Sequence, residues 1–314
     1  MAKIIKITQD NPALYLTWVI NNICTNACSY CPTNLHTGTN HNYDWNNAEQ
    51  FIKLVLAKYP KIHVAISGGE PTLSPWFKDV VKMFYNAGHP VGITSNGART
   101  ARFYDEVSQY LSYIVMSYHP SYPDPNFIEK CLAVAEHTFC TVSIMMDDRH
   151  LDECLQMYIK LSEYKQLSVQ PVKITDWGVK NILGRNYSQG QLDLINRIET
   201  IRATKITRPK IQGHMGQSTA WYDDNTSTQL NSQVLINSGE TNFFGWECNI
   251  GLESLYVKWD GTIRGGNCIT SPIIGKIQDV DNILWPQNPI ICRQTYCNCN
   301  TDVYVSKRNL KVDS

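Results

Sequence analysis

Cys24-Thr25-Asn26-Ala27-Cys28-Ser29-Tyr30-Cys31 places three thiols at C-x3-C-x2-C spacing within one short loop. Thiolates so spaced reach three corners of one cubic iron–sulfur cluster, which is ordinarily held by four. Three protein ligands leave one iron open, and an open metal position separates a reactive site from a structural one. Zinc completed by His36 or His41, or a disulfide knot, is the competing reading of the triad alone.

The sequence around the loop alternates strand and helix. Leu14 to Asn21 reads as a buried strand that runs into the cysteines. Asp44 is placed to cap a helix in which Ala48, Phe51, Ile52, Val55 and Leu56 recur at helical spacing as far as Tyr59-Pro60. Further strands are expected over 62–67, 91–95, 113–117, 140–146 and 167–172, with helices over about 75–87, 101–111, 126–137 and 151–164. Short connections between such elements imply parallel strands and right-handed crossovers. Six units suit a partial (β/α)6 TIM-like barrel, with the chemistry at the C-terminal strand ends. The polar motifs fall at those ends: the cysteine loop, Gly68-Gly69-Glu70, Ser95-Asn96-Gly97, Tyr118-His119, Asp147 and Gln170. The reading divides the chain into a barrel over 1–204, an irregular connection over 205–245 that is a candidate cover for the barrel mouth, and a cysteine-rich region over 246–314. One further helical pattern is expected over about 180–203.

Composition narrows the class. The 314 residues are 43% hydrophobic and 18% charged, enough for a sizeable core. Lys and Arg number 28 against 28 Asp and Glu. That balance disfavours a nucleic-acid binder held by phosphate contacts. No run of eighteen apolar residues marks a membrane span, and residues 1–7 lack the pattern of a signal peptide. Eleven cysteines, an odd number set in clusters, point to a reducing compartment and metal binding, hence the cytoplasm. Cys131, Cys140 and Cys154 fall in apolar patterns and read as core residues.

The triad with an aromatic before its last cysteine, followed by Ser67-Gly68-Gly69-Glu70-Pro71, resembles the radical S-adenosylmethionine (radical SAM) superfamily. The resemblance implies a [4Fe–4S] cluster on Cys24, Cys28 and Cys31 whose open iron is chelated by S-adenosylmethionine. It implies reductive cleavage of that cofactor to a 5′-deoxyadenosyl radical, which takes a hydrogen atom from the substrate. Flavodoxin or ferredoxin is the kind of electron donor such chemistry uses. The Ser67–Pro71 turn is then expected to hold the methionine end, Ser95, Asn96 and Ser117 the ribose, and Tyr30 the adenine. Gln170 is a candidate donor to cofactor or substrate, and His119 the candidate catalytic group on the substrate side.

The C-terminal region repeats the metal theme. Residues 255–264 alternate around Asp260-Gly261, a hairpin signal. Cys248 precedes the hairpin, Cys268 follows it, and Cys292, Cys297 and Cys299 come later. This arrangement resembles the SPASM/twitch extension of radical SAM enzymes, although six residues rather than the usual four separate Gly261 from Cys268. It implies one auxiliary [4Fe–4S] cluster on Cys248, Cys268, Cys297 and Cys299, with Cys292 an alternative ligand. A structural zinc is the competing reading. The substrate is expected to be a peptide or protein side chain, with a small molecule (sugar, nucleotide or cofactor precursor) as the alternative. A non-catalytic iron–sulfur electron carrier is the alternative of another class.

Overall fold

The computed structural model describes residues 2–38, 43–174, 186–205, 218–268, 270–297 and 299–311. Two sheets organise them. Six parallel strands, β2 (Leu14–Val19), β3 (Ile62–Ser67), β4 (Val91–Ser95), β5 (Tyr113–Tyr118), β6 (Phe139–Met146) and β7 (Leu167–Lys173), follow one another in sequence order. Helices α1 (Trp45–Lys58), α2 (Phe77–Asn86), α3 (Ala101–Ser108), α4 (Phe127–Ala135) and α5 (Leu151–Ser162) connect them. Each strand and helix expected across 14–172 is present, with ends displaced by a few residues. The sheet does not close among the described residues, so the partial barrel of the sequence reading is the observed architecture.

Strand alternation shows why it is a barrel with an open interior. Leu16, Trp18, Val64, Ile66, Ile93, Ile114, Met116, Val142 and Ile144 are buried against the helices. The alternate residues Ala65, Ser67, Val115, Ser117, Thr141 and Gln170 are only partly buried, and Thr94 is exposed, which marks a lumen. The lumen has a floor. Gly92 carries no side chain because the Tyr113 ring occupies that space, 1.9 Å from where a Cβ would stand.

Two departures from the sequence reading concern how the chain ends are used. The C-terminal hairpin, β11 (Ser254–Val257) and β12 (Thr262–Arg264), extends the barrel sheet, β11 pairing parallel with β2 and β12 pairing with β13 (Ile273–Lys276). The part of 205–245 that is described is not irregular from Ser218 onward. It forms β8 (Ser218–Tyr222), β9 (Ser227–Gln229) and helix α7 (Ser232–Ser238). β8 pairs antiparallel with β1 (Ile4–Gln9) in a second sheet that continues to β15 (Lys307–Arg308), β10 (Glu247–Cys248) and β14 (Ile290–Ile291). The polar composition hid β8 because a strand covered on one face needs few apolar residues; Ala220 is buried and Trp221 exposed. The helix expected from about 180 begins at Gln189 (α6, Gln189–Lys205), residues 186–188 being non-helical, and residues 180–185 of that expectation, like His41, lie outside the described residues. No helix among the described residues is long and apolar enough to cross a membrane.

Candidate radical SAM site

The cysteine loop leaves β2 at a point fixed from behind. Trp18 packs edge-on against Phe51 and donates from Nε1 to Tyr43 Oη at 3.1 Å, while that hydroxyl donates to the Ile20 carbonyl at 3.0 Å. Beyond it, the Gly-Gly-Glu turn after β3 is built into the loop. Gly69 N–H donates to Asn21 O at 3.0 Å and Glu70 N–H to Ile23 O at 2.7 Å. Asn21, fully buried, returns a bond from Nδ2 to Glu70 O at 2.8 Å. A Cβ on Gly68 would stand 2.8 Å from Asn21 O, and one on Gly69 2.4 Å from both Ile23 O and Leu35 O. The close approach these glycines permit is therefore to the cysteine loop itself.

Glu70 is not the surface carboxylate its position after a turn allows; its exposure is 0%. Oε1 accepts from Thr72 N–H, Thr72 Oγ1 and Ser95 Oγ at 3.1, 2.6 and 2.9 Å, and Oε2 from Asn96 N–H at 2.7 Å. Burial pushes its carboxyl up, and these donors oppose that shift. Glu70 thus ties the turn after β3 to the end of β4 and caps the short 3-10 turn that Pro71 opens. Ser95 is committed within this network, since its hydroxyl also meets Tyr104 Oη at 2.7 Å. Asn96 faces outward from it. Its Nδ2 donates to Cys24 Sγ at 3.4 Å and Thr25 Oγ1 at 3.2 Å, while its Oδ1 is buried without a hydrogen-bond partner.

The Asn96-Gly97 turn is braced by Lys130 on α4. Gly97 has φ +83°, and its carbonyl accepts from the buried Lys130 Nζ at 2.7 Å, which also pairs with Asp124. Lys130→Met is expected to lower stability by about 2 kcal/mol, the worth of charged hydrogen bonds removed from partners left behind. Urea unfolding monitored by circular dichroism measures it, and an unchanged midpoint would remove Lys130 from the support of this turn.

At the mouth the three thiols lie near one another. Burial raises the proton affinity of each, Cys31 to about 11, with the neighbouring thiols adding to the rise at Cys28 and Cys31. Without a metal they stay protonated at neutral pH, and a bound metal would supply the positive charge that makes them ligands. Donors already point at sulfur. Asn26 N–H, like Asn96 Nδ2, lies 3.4 Å from Cys24 Sγ. His119 Nδ1 lies 3.5 Å from Cys28 Sγ and 2.6 Å from Tyr30 Oη, with the Tyr30 and His119 rings stacked at 6.0 Å. Burial lowers the His119 pKa to about 4, so the imidazole is neutral at pH 7. Among the described residues no three His, Cys, Asp or Glu side chains converge tightly enough to grip a single metal ion. A cubane asks for something else, thiolates spread around a cluster with hydrogen bonds to sulfur. The triad and the unpartnered Asn96 Oδ1 fit a cluster with a polar ligand beside it.

The remaining expected residues lie further round the lumen. Ser117, Ser143 and Gln170 share one register row across β5, β6 and β7, and Gln170 Nε2 donates to Ser143 Oγ at 2.9 Å. At the end of β6 the buried Asp147 holds Arg149 through two side-chain bonds, at 3.0 and 2.7 Å, and Arg149 reaches Ser29 Oγ at 3.4 Å. Ser143, Arg149, Asn21, Thr72 and Tyr104 went unnoticed in the sequence. A polar Asn-Asn pair ending an apolar strand was the available signal for Asn21; the rest depend on register.

The C-terminal cysteines gather at the other end of β2. Cys248, Cys268 and Cys292 pack with Tyr15, Ile250, Val305 and Tyr304. The Cys292 thiol is raised by Cys268 beside it, and Cys248 by Cys292; Cys268 also adds to the rise at Cys297. Cys299 adds to the rise at Cys297 as well, and its sulfur takes a bond from Asn267 Nδ2 at 3.6 Å. Burial pushes Cys248 and Cys299 up to about 11. From Tyr15 to Ile20 the strand climbs ~17 Å at ~3.3 Å per residue, so the two cysteine groups share no ligand.

Residues 18–139 match the profile of the Radical SAM superfamily. The matched stretch holds the cysteine loop and most of the parallel strands of the partial barrel, a radical SAM domain within the chain. A radical SAM domain implies a [4Fe–4S] cluster and S-adenosylmethionine, and the triad fits them. Among curated proteins, the chain is similar to the 7-carboxy-7-deazaguanine synthase of Bacteroides thetaiotaomicron, 36% identical over 77 residues, which is 24% of this chain and 38% of that protein. Among solved structures it resembles Streptococcus suis SuiB bound to S-adenosylmethionine (TM-score 0.51, 14% identity, 83% of this chain and 63% of SuiB). It also resembles native anSMEcpe with bound AdoMet and Cp18Cys peptide (TM-score 0.54, 15% identity, 85% of this chain and 78% of that one). At such identities these structures show the fold, and the chain spans less than two thirds of the length of the synthase and of SuiB.

Proposed function

We propose that the protein is a radical SAM enzyme that modifies or oxidises a peptide or protein side chain. The observation that carries the reading is the pairing of a three-thiol loop with a Gly-Gly-Glu turn locked to it through Asn21, Ile23 and Glu70. When bound, the cluster and S-adenosylmethionine supply one-electron cleavage to a 5′-deoxyadenosyl radical, which takes a hydrogen atom from the substrate. The chain's own part is positional. Cys24, Cys28 and Cys31 would hold the cluster, and the Ser67–Pro71 turn, locked against their loop, would hold the cofactor beside it. Asn96 Oδ1 offers an acceptor to the cofactor, and Tyr30 with His119 packs the opposite side of the loop. His119, neutral and engaged at Nδ1, orients Tyr30 in this reading, in place of the substrate-side catalytic role expected from sequence. Ser117, Ser143 and Gln170 line the lumen in which substrate sits.

The fold's likeness to SuiB, solved with its precursor peptide SuiA, and to anSMEcpe, solved with a peptide, supports a peptide substrate. The 77-residue likeness to the deazaguanine synthase supports the small-molecule alternative. The C-terminal cysteines form a SPASM/twitch-like auxiliary [4Fe–4S] site. Its ligands are Cys248, Cys268, Cys297 and Cys299, with Cys292 the alternative, since Cys299 and Cys268 both act on Cys297 and Cys292 acts on Cys248. Chemical reduction of the anaerobically reconstituted protein, with S-adenosylmethionine added, tests the core reading. Expected are 5′-deoxyadenosine in solution and an electron paramagnetic resonance signal that shifts on adding the cofactor. Tetrahedral zinc alone at the N-terminal loop would remove the reading.

A further inference from the structure

Lys307 lies directly across the strand pair from Cys248, so both side chains leave the second sheet on the same face. It is 4% exposed, and its ammonium donates to the carbonyls of Asp302, Val303 and Val305 at 3.0, 2.8 and 2.6 Å, with the Phe243 ring centroid 4.9 Å away. Three carbonyls use all three of its protons. What remains is a fixed positive charge that no sulfur can draw out of place. Helix α8 (Asn300–Val303) and the following turn supply those carbonyls directly after Cys299. Burying this charge is costly unless opposite charge stands near it, and the buried Asp302 carboxylate, which Lys307 favours in its charged form against burial, offsets one part of that cost. Thiol sulfurs carry none. Four thiolates around an oxidised [4Fe–4S] core form a dianion, which gains a further negative charge on reduction, and net charge is one of the levers on cluster potential.

We propose that Lys307 is the built-in counter-charge of the C-terminal cysteine site, raising the reduction potential of the cluster bound there. The proposal rests on the auxiliary-cluster reading above. The counter-charge stabilises the reduced state more than the oxidised one, so a cluster at the floor of the barrel accepts an electron more readily than it would beside a neutral residue.

The test compares the full-length protein, reconstituted with iron and sulfide, with Lys307→Gln, which can still donate to carbonyls, Lys307→Met and Lys307→Arg. Redox titration followed by electron paramagnetic resonance reads both clusters, and iron analysis counts them. In the neutral variants the midpoint of the C-terminal cluster is expected to fall by at least a tenfold change in the oxidised-to-reduced ratio, about 59 mV for one electron. Lys307→Arg should stay near the parent value, and the N-terminal cluster should not move in any variant. A folded neutral variant that fails to load the C-terminal cluster also supports the proposal. An unmoved midpoint in a fully loaded neutral variant overturns it. Loss of the thermal transition in metal-free neutral variants overturns it too, by reducing Lys307 to a helix cap. If the parent protein takes up only the N-terminal cluster, the auxiliary reading itself has failed, and iron analysis separates that outcome from the others.

Discussion

Replacing Cys24, Cys28 and Cys31 together by alanine is expected to bring 5′-deoxyadenosine formation down to background and to remove about four iron atoms per chain. The effect is total because no other group takes over. Apart from these three thiols, the described residues offer no group of three metal-binding side chains. The loop should survive the change, since Asn21, Glu70 and Tyr43 hold its backbone and the sulfurs contribute one backbone bond, from Asn26 N–H to Cys24 Sγ. Metal-free parent and variant are therefore expected to melt at nearly the same temperature. Iron retained at the C-terminal cysteines would make the loss local. Undiminished cofactor cleavage in the triple variant would end the reading of the loop as the reactive site.

Gly69→Ala should produce the next largest effect, by a different route. The added Cβ would stand 2.4 Å from the carbonyl oxygens of Ile23 and Leu35, both backbone atoms, where real contacts stay beyond 3.0 Å. Neither can swing away as a side chain would. The turn and the cysteine loop must separate, at a cost of about 1–3 kcal/mol for overpacking. The bonds from Gly69 and Glu70 to Asn21 and Ile23 would loosen with them. Expected are a lower unfolding midpoint and loss of the spectral response to S-adenosylmethionine, with the cysteines themselves untouched. Gly190→Ala is the control. It lies in α6 with nothing within 4 Å of its would-be Cβ, and it should leave both readouts alone or stabilise slightly. Equal behaviour of the two variants would mean that the tight contact at Gly69 does not govern the site.

The regular part of the barrel was legible because its signals are local. Period-two strands, period-3.6 helices and the Asp44 cap repeat within a few residues, and burial on the helix-facing side enforces each register. The cysteine spacing was legible for the same reason. The second sheet was not. β1 and β8 are short, half polar and more than two hundred residues apart, and their pairing is a long-range event that neither sequence announces. Glu70 shows the same limit within the site. The motif identified it, and Thr72 supplies two donors locally, but its other two come from Ser95 and Asn96, which only the packing of adjacent strand ends brings to it.

The sequence by itself determined the parallel α/β architecture, the position of the first cysteine loop at the strand ends and the presence of a second cysteine group. Tertiary structure decided which groups stand against which sulfur: His119 and Tyr30 at Cys28, Asn96 at Cys24, and Lys307 across from Cys248. The division has one physical cause. Backbone periodicity is set by neighbours along the chain, whereas the surroundings of a buried polar or charged atom are set by whichever segments the sheet register brings to it.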